Sequence, residues 1–542
     1  MSSSGKAAGF VLLLLAGCGK SDSPAPPPPP AAAAKLAPLD LSAPVEARIA
    51  EARRLLAEAG FPGGKGFPVL EVLYNDSEAL KKIAAAIQQM WNKNLGIQVV
   101  LRNTEWKVYL DLVQKGRFDI ARRAYFGEYL DPESFLSLFT SDSGFNSGGW
   151  TSEEFDRLVA ASDRENDPAK RLALLGRAER LLVDEAALIP LYSGVGHNLM
   201  KPFIKGVYHN VRDMHPLQGV TLEGPGAPKD GVLIFNIASE PHSIDPALAD
   251  DIASLKVLQH VFEGLANYEP RDGTPVPAAA ERWDVSPDGL RWTFHLRPAA
   301  WSNGDPLTAA DFAWSWRRAI DPKMPSAYKE RLYVVKNARA IARGEAPIDS
   351  LGVRAEGDRT LVVDLEHPAP YFPWLVCLMV YLPVHRATVE KYGDQWIQPA
   401  HMVHNGAYRL VEARPAESMT FEANPRYRAA KDVKLKKFVF LHVVNDITAL
   451  NLYETGQCHW LFRIPLEKMD ALRGGPGHME GPIHASQFYT FNLKRKPLDD
   501  VRVRRALALA VDRETIVKRV LRGGEEASER LTPRLYPGYE MK

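Results

Sequence analysis

The chain has 542 residues, which predicts about three to four domains. Its 67 basic and 66 acidic residues leave a formal net charge of +1, which excludes a nucleic-acid binder that works through bulk positive charge. Apolar residues make up 46% and charged residues 25%, the usual mixture of a globular protein. Three cysteines are too few for a disulfide scaffold or a cysteine-rich zinc site.

The first 40 residues predict export and anchoring. Lys6 precedes an apolar run at residues 10–15, which is too short to span a bilayer and is typical of a signal peptide. The sequence Leu15-Ala16-Gly17-Cys18 resembles a bacterial lipobox, in which Cys18 is acylated. Residues 19–40 are rich in Pro and Ala, a composition that favours an extended linker. We therefore predict a lipoprotein signal peptide over residues 1–18 and a membrane anchor at Cys18.

Strand and helix patterns alternate after residue 41. Residues 45–59 carry apolar side chains at helical spacing, and Gly60 ends this predicted helix. A second helical stripe begins at Leu80 and ends near Gly96. Thr151 with Glu154 predicts a capping box. Other predicted helices are 105–114 and 501–521, and predicted strands are 69–74, 97–101, 118–121, 231–237 and 292–296. This alternation predicts an α/β fold.

Enzyme motifs are absent from the sequence. There is no Gly-x-Ser-x-Gly elbow, no His-Glu-x-x-His and no phosphate-binding loop. His401 and His404 form a near pair without a third ligand, so a satisfied polar position is the preferred interpretation. The sequence therefore predicts no catalytic residue, no metal and no cofactor.

Two residue pairs leave alternatives open. Asp131 and Glu133 are paired acids that in principle could serve a glycosidase, but nothing in the sequence places them across a sugar, and paired acids on solvated faces are far commoner. Cys377 and Cys458 would form one disulfide if the fold brings them together outside the cytoplasm.

Several sequence blocks carry a family resemblance. Residues 292–297 read Trp-Thr-Phe-His-Leu-Arg and lead into residues 301–312, Trp-Ser-Asn-Gly-Asp-Pro-Leu-Thr-Ala-Ala-Asp-Phe. These blocks resemble the signature of the extracytoplasmic oligopeptide/dipeptide-binding proteins of ABC importers. Further matching blocks are 103–107, 239–246, 262–265, 405–408 and 500–504. The resemblance implies a binding protein with an α/β, two-lobed, periplasmic-binding-protein-like clamshell fold and an extra subdomain.

The order of the blocks differs from the family. Residues 41–216 resemble the family's C-terminal part, and residues 231–542 resemble its N-terminal and middle parts. We therefore predict a circular permutant whose former termini are joined through the loop at residues 217–230. The alternative is a fusion of halves of two tandem receptors.

The permuted order implies a domain division. Lobe 2 comprises residues 41–195 and is completed by residues 484–542. Lobe 1 comprises residues 196–252 and 377–483, and the extra subdomain comprises residues 253–376.

The resemblance also implies a ligand site. Residues 125–132 read Tyr-Phe-Gly-Glu-Tyr-Leu-Asp-Pro, so Glu128 stands where the family has the Asp that binds the ligand's ammonium group. Tyr125 replaces the family's Trp and keeps an aromatic wall. Arg122 is a candidate for binding a ligand carboxylate or for holding Glu128. The alternatives are a surface acid at Glu128 and an ion pair within the lobe at Arg122.

Four further residues complete the predicted ligand site. Trp106 matches the aromatic that lines a side-chain pocket, with ordinary core packing as its alternative. Glu240 follows the family's near-N-terminal Glu. Tyr333 and Tyr489 are additional candidates.

The function implied by the resemblance is peptide capture. A lipid-anchored, monomeric receptor would bind oligopeptides between two lobes and deliver them to the permease subunits of an ABC importer, at the periplasm or cell-envelope surface, without binding nucleic acid. One alternative is a receptor of the same family for a murein peptide, a metal chelate or haem. The other is a structural envelope lipoprotein without a ligand.

Overall fold

Helices and strands alternate through the described chain. The computed structural model describes residues 37–127, 129–165, 167–326 and 328–541. The helices are α1 Val45–Glu58, α2 Glu78–Leu95, α3 Trp106–Gln114, α4 Glu133–Leu136, α5 Glu153–Arg164, α6 Pro168–Asp184, α7 Ile252–Val261, α8 Ala309–Ile320, α9 Ala338–Ala342, α10 Phe372–Leu375, α11 Arg386–Tyr392, α12 Asp446–Glu454, α13 Met469–Leu472, α14 Val501–Leu509 and α15 Arg513–Thr515. The strands are β1 Leu70–Asn75, β2 Val99–Thr104, β3 Ile120–Phe126, β4 Leu188–Met200, β5 Ile204–Lys205, β6 Thr221–Leu222, β7 Val232–Asn236, β8 Ala266–Tyr268, β9 Pro275–Pro277, β10 Ala280–Val285, β11 Arg291–Leu296, β12 Val353–Ala355, β13 Thr360–Asp364, β14 Tyr408–Arg414, β15 Ser418–Ala423, β16 Lys437–Leu441, β17 Trp460–Leu461, β18 His478–Phe491 and β19 Glu526–Ala527.

The N-terminal predictions concern residues beyond this description. Met1–Pro38 and Leu39–Lys542 are separate units, and the first contributes only residues 37 and 38 to the described chain. The predicted signal peptide and Cys18 lie outside the described residues. In the described part, no helix combines the length and the apolar character needed to cross a membrane.

A mixed sheet organises the described part of Leu39–Lys542. Its strand order is β14-β15-β16-β7-β17-β4-β18-β3-β1-β2, with β19 paired to β4. β1 is parallel to β2 and β3, and β7 is parallel to β16 and β17. β4 and β18, of 13 and 14 residues, are antiparallel to each other and lie between these two parallel groups. A separate antiparallel sheet has the order β10-β11-β13-β12.

The three largest apolar cores of the described residues stabilise this architecture. The largest is built mainly from residues 203–460 and contains the fully buried Trp316 and Phe438. The second combines residues 39–192 with residues 489–521. The third combines residues 125–188 with Phe488, Leu531 and Tyr539. Two of the three cores therefore join segments from opposite ends of the sequence.

Hydrogen bonds reinforce this joining of distant segments. The indole Nε1 of Trp91, on α2, donates to the carbonyl oxygen of Leu507 at 3.0 Å. The guanidinium of Arg504 donates to the carbonyl oxygen of Glu185 at 2.7 Å. β18 also pairs with both β3 and β4. Residues 484–542 thus pack directly against residues 41–195.

Most predicted elements are confirmed, with differences at helix ends. Gly96 follows α2 with a φ of 72°, a left-handed conformation that favours glycine. The prediction of one helix over residues 501–521 is wrong, because α14 ends at Leu509 and Asp512 caps a new helix by accepting a hydrogen bond from the Thr515 N–H. The predicted cap at Thr151 is also wrong, since the hydroxyl of Ser152 accepts the hydrogen bond from the Phe155 N–H.

Two smaller predictions can also be compared with the structure. The predicted loop at residues 217–230 is largely irregular, but it buries Leu217 and Val220 and pairs β6 with β5. The proposed disulfide is absent. Cys377 and Cys458 are free thiols because Cys377 packs against the largest core and Cys458 lies in a small cluster with Leu450.

Candidate ligand-binding site

Arg122 lies in β3 with its guanidinium held by neutral groups. Its Nη2 donates to Gln487 Oε1 at 2.5 Å, and its Nη1 donates to Asn75 Oδ1 at 3.3 Å. Its Nε is buried without a hydrogen-bond partner among the described residues. An ion pair within the lobe, the alternative for Arg122, is not formed with any described carboxylate. This guanidinium therefore retains donor capacity for a carboxylate ligand.

Two buried tyrosines lie near this guanidinium. The register of β18 against β3 places Tyr489 directly opposite Arg122. Tyr489 is 1% exposed, and its hydroxyl has no hydrogen-bond partner in the described chain. Burial raises the pKa of Tyr489 and of Tyr192, and the positive charge of Arg122 opposes both shifts. Both hydroxyls are therefore neutral at pH 7.

Trp106 belongs to the same region of the structure. Glu105 caps α3 by accepting hydrogen bonds from the N–H groups of Lys107 and Val108. The half-buried ring of Trp106 stacks on Tyr109 with centroids 5.5 Å apart. The Tyr109 hydroxyl donates to the carbonyl oxygen of Arg122. Trp106 packs with Leu73 and Ala121, and Ala121 faces away from Arg122 in β3, so Trp106 lies on the other face of the sheet from Arg122 and Tyr489.

Tyr125 is directed to the opposite face of β3, because it lies three positions from Arg122 in a strand whose side chains alternate. Its ring makes edge contacts with Phe135 and Phe145, each at 5.4 Å between centroids. Its hydroxyl accepts a hydrogen bond from Arg331 Nη2 at 2.7 Å. Tyr125 therefore lies on the other side of the sheet from Arg122, and its role as an aromatic wall of the ligand site stays a prediction.

Glu128 lies outside the described residues, but the preceding residue is firmly positioned. The Gly127 N–H donates to the carbonyl oxygen of His484 at 2.7 Å, and the His484 ring bonds the Gly127 carbonyl oxygen at 3.0 Å through Nδ1. The Tyr536 hydroxyl contacts the other ring nitrogen. Burial lowers the pKa of His484 to about 3, so the ring is neutral at pH 7. A Cβ on Gly127 would lie 2.1 Å from this ring, which explains the glycine.

Tyr333 and Glu240 do not join the Arg122 region through any described contact. Tyr333 follows the 3₁₀ turn that carries Arg331, and the guanidinium of Arg339 lies 5.1 Å from its ring. Glu240 accepts a hydrogen bond from the Ala416 N–H at 3.2 Å. Tyr333 thus lies close in sequence to Arg331, the partner of Tyr125, and Glu240 occupies a separate position.

A seam of contacts joins residues 125–171 to residues 330–371. Tyr129 stacks on Tyr371 with centroids 5.4 Å apart, and the guanidinium of Arg171 lies over the same ring. Glu330 accepts a hydrogen bond from the Gly144 N–H at 2.6 Å. The sequence does not indicate this seam, since its partners are about 200 residues apart and belong to no motif.

The acids at positions 131 and 133 belong to this seam. Asp131 forms a two-point ion pair with Arg171. Glu133 is buried and accepts a hydrogen bond from the Tyr129 hydroxyl. The interpretation of solvated acids is therefore wrong for Glu133, because this residue is buried. Burial also raises the pKa of the neighbouring Asp163 well above its usual range, with Glu133 adding to the effect.

The sequence matches a family of binding proteins over two stretches. Residues 13–147 and 274–542 match the family described as bacterial extracellular solute-binding proteins, family 5 Middle. The chain is 38% identical over 320 residues to the probable deoxycholate-binding periplasmic protein YgiS of Escherichia coli, which covers 58% of this chain and 59% of that protein. It is 36% identical over 316 residues to the oligopeptide-binding protein OppA of Bacillus subtilis, covering 57% of each. The chain thus spans less than two thirds of the length of these relatives.

A solved structure of a related protein shows which fold this chain has. The crystal structure of a periplasmic oligopeptide-binding protein (OppAIV) of Borrelia burgdorferi is similar with a TM-score of 0.55 and 34% identity, covering 56% of this chain and 61% of that one. The periplasmic-binding-protein-like α/β fold class is therefore confirmed.

Proposed function

This chain belongs to the bacterial extracellular solute-binding proteins of family 5, and we propose that it is an oligopeptide receptor of an ABC importer. Members of this family are receptors that bind solutes and are not enzymes. The observation that carries the proposal is Arg122, a cation held by neutral amides on the strand that leads to Glu128. A zwitterionic peptide would offer its carboxylate to Arg122 and its ammonium group to Glu128.

The position of Arg122 suits an extended ligand. Arg122 lies within the extended strand β3, Ile120–Phe126, so a short peptide could run alongside this strand. Its backbone would bind as an added strand, while its side chains enter wet pockets, and this arrangement gives broad selectivity.

The seam between residues 125–171 and residues 330–371 supports capture by closure. The Arg331–Tyr125 hydrogen bond and the Tyr129–Tyr371 stack join the segment next to Glu128 to the proposed extra subdomain. Opening of the two lobes would break these contacts, and closure over a peptide would restore them. The closed receptor would then present the peptide to the permease subunits.

The circular permutation belongs to the same proposal. Residues 484–542 share a core with residues 41–195, which is the packing that a permuted lobe 2 requires. The relatives match less than three fifths of this chain, as expected if one of the two rearranged parts lies out of order with respect to them. We place lobe 1 at residues 196–252 and 377–483 and the extra subdomain at residues 253–376.

The lipid anchor at Cys18 and a monomeric state complete the proposal. Acylation of Cys18 would hold the receptor at the periplasmic or outer face of a bacterial membrane, with residues 19–40 as the spacer. Mass spectrometry of the protein purified from membranes tests the anchor. A diacylglyceryl mass at Cys18 is expected, and an unmodified Cys18 in the membrane fraction would contradict it.

Calorimetric titration with a mixture of tri- to pentapeptides tests the ligand. The wild-type chain should bind peptides, and Glu128→Ala should weaken binding far more than Glu128→Asp, which keeps the charge. Unchanged affinity in Glu128→Ala would show that Glu128 does not bind the ammonium group. Because the relative YgiS is named for deoxycholate, a parallel titration with deoxycholate distinguishes a bile-acid receptor from a peptide receptor.

A further inference from the structure

Two histidines and a glutamate meet where the two longest strands pair. The antiparallel register places His197 of β4 opposite Glu480 of β18, and His478 lies two positions before Glu480. His197 Nδ1 lies 3.2 Å from His478 Nε2 and 3.6 Å from Glu480 Oε2. His478 Nε2 lies 3.8 Å from the same carboxylate oxygen.

These separations are those of metal ligands around one ion. In a tetrahedral zinc site with bonds near 2.1 Å, neighbouring ligand atoms are about 3.4 Å apart. The three measured separations, between 3.2 and 3.8 Å, bracket that value. Two imidazole nitrogens and one carboxylate form a donor set that late first-row divalent cations prefer over Ca²⁺ or Mg²⁺.

The groups around the three side chains fix their orientation. His197 is buried beside Gly523, with its Nε2 lacking a hydrogen-bond partner in the described chain and its Nδ1 directed at the other two donors. Arg473 holds Glu480 through two hydrogen bonds of 2.7 and 3.0 Å. Such outer contacts orient metal ligands in known sites.

Two local hydrogen bonds oppose metal binding. The Gly474 N–H donates to His478 Nδ1 at 2.8 Å, so coordination through Nε2 requires the ring proton to move to Nδ1 and this hydrogen bond to break. The ion also replaces the 3.2 Å hydrogen bond between His197 Nδ1 and His478 Nε2. The loss of two neutral hydrogen bonds costs about a hundredfold in affinity, which coordination by three ligands around one ion offsets.

Glu480 connects these side chains to solvent. Its side chain is 34% exposed and, with Arg473 and Gly481, lines a cavity of about 220 Å³, whereas the two histidine side chains are buried beside it. We propose that His197, His478 and Glu480 bind one late first-row divalent cation such as Zn²⁺, with water completing the coordination. This site shares no residue with the proposed peptide site.

Calorimetric titration of the full chain with Zn²⁺ alone tests this proposal. One Zn²⁺ per chain is expected, and His197→Gln and Glu480→Gln should each weaken binding by at least about a hundredfold. The matched control is His242→Gln, which alters an exposed histidine beside the half-buried Asp250 and Asp251 and should leave this binding unchanged. Unchanged Zn²⁺ affinity in both site variants, or no binding by the wild-type chain, would overturn the proposal.

A spectroscopic measurement needs no variant. Co²⁺ bound to the wild-type chain should give the intense visible absorption of a four-coordinate ion, and Zn²⁺ should remove it. A weak octahedral spectrum would contradict the assignment even if a site variant fails to fold. Circular dichroism establishes which variants are folded.

Discussion

Replacement of Arg122 by glutamine should separate carboxylate recognition from the rest of peptide binding. The substitution removes a cation whose described partners, Gln487 and Asn75, are neutral, so no buried carboxylate among the described residues loses its counter-charge. Two charge-assisted hydrogen bonds to a ligand carboxylate contribute about 3 kcal/mol together, which corresponds to roughly a 150-fold change in Kd. Arg122→Gln should therefore weaken binding of a pentapeptide acid by about that factor.

The assay measures the Kd of two proteins for two forms of one peptide, so that the effect of the protein substitution can be compared with the effect of the peptide's end group. Wild type and Arg122→Gln are each titrated with one pentapeptide as the free acid and as the C-terminal amide. The amide should bind the wild-type protein weakly. Its affinity should fall little further in the variant, because the amide lacks the carboxylate that Arg122 would bind. Arg102→Gln is the control, since Arg102 is a largely exposed arginine of β2 paired with Glu71. Equal weakening of acid and amide by Arg122→Gln would refute the assignment of Arg122 to the carboxylate.

Two further predictions concern stability. Trp91→Phe removes a fully buried indole and leaves the Leu507 carbonyl oxygen without its donor, so urea denaturation should show a loss of about 2–4 kcal/mol. Stability should also fall on acidification, because burial lowers the pKa of three histidines to about 3 in the folded protein. These are His260, His404 and His484. The unfolded chain takes up these protons near pH 6.5 and the folded protein does not, so each histidine should cost roughly 2 kcal/mol between pH 7 and pH 5.

Matched variants give these two predictions their controls. Trp106→Phe alters a half-buried tryptophan and should change the free energy of unfolding much less than Trp91→Phe. An equal loss in both would mean that the Trp91–Leu507 contact does not couple the distant segments. His404→Phe should reduce the acid-induced loss of stability, and an unchanged pH dependence would contradict the assigned cause.

The sequence predicts elements well where the determining signals are local. The apolar stripe that begins at Leu80 and the glycine at position 96 define α2 without knowledge of the fold. The break between α14 and α15 is also a local signal, since Asp512 caps the second helix, but the continuous apolar periodicity of residues 501–521 obscures it. The choice of Ser152 over Thr151 as a cap depends on backbone angles, which neither residue type determines.

The candidate site depends on contacts that no local pattern encodes. The position of Arg122 in the site follows from a family motif, but its partner Gln487 is 365 residues away and is specified only by the register of β18. His484, which fixes Gly127, is similarly remote. The proposed disulfide failed for the same reason, because Cys377 and Cys458 belong to different cores.

Native mass spectrometry of the wild-type chain tests the central claim most directly. The protein is mixed with equimolar tri- to pentapeptides and deoxycholate, and the masses of the bound species are read from the complexes. One peptide per chain is expected, with loss of that complex in Glu128→Ala. Complexes with deoxycholate alone, or no complex at all, would contradict it.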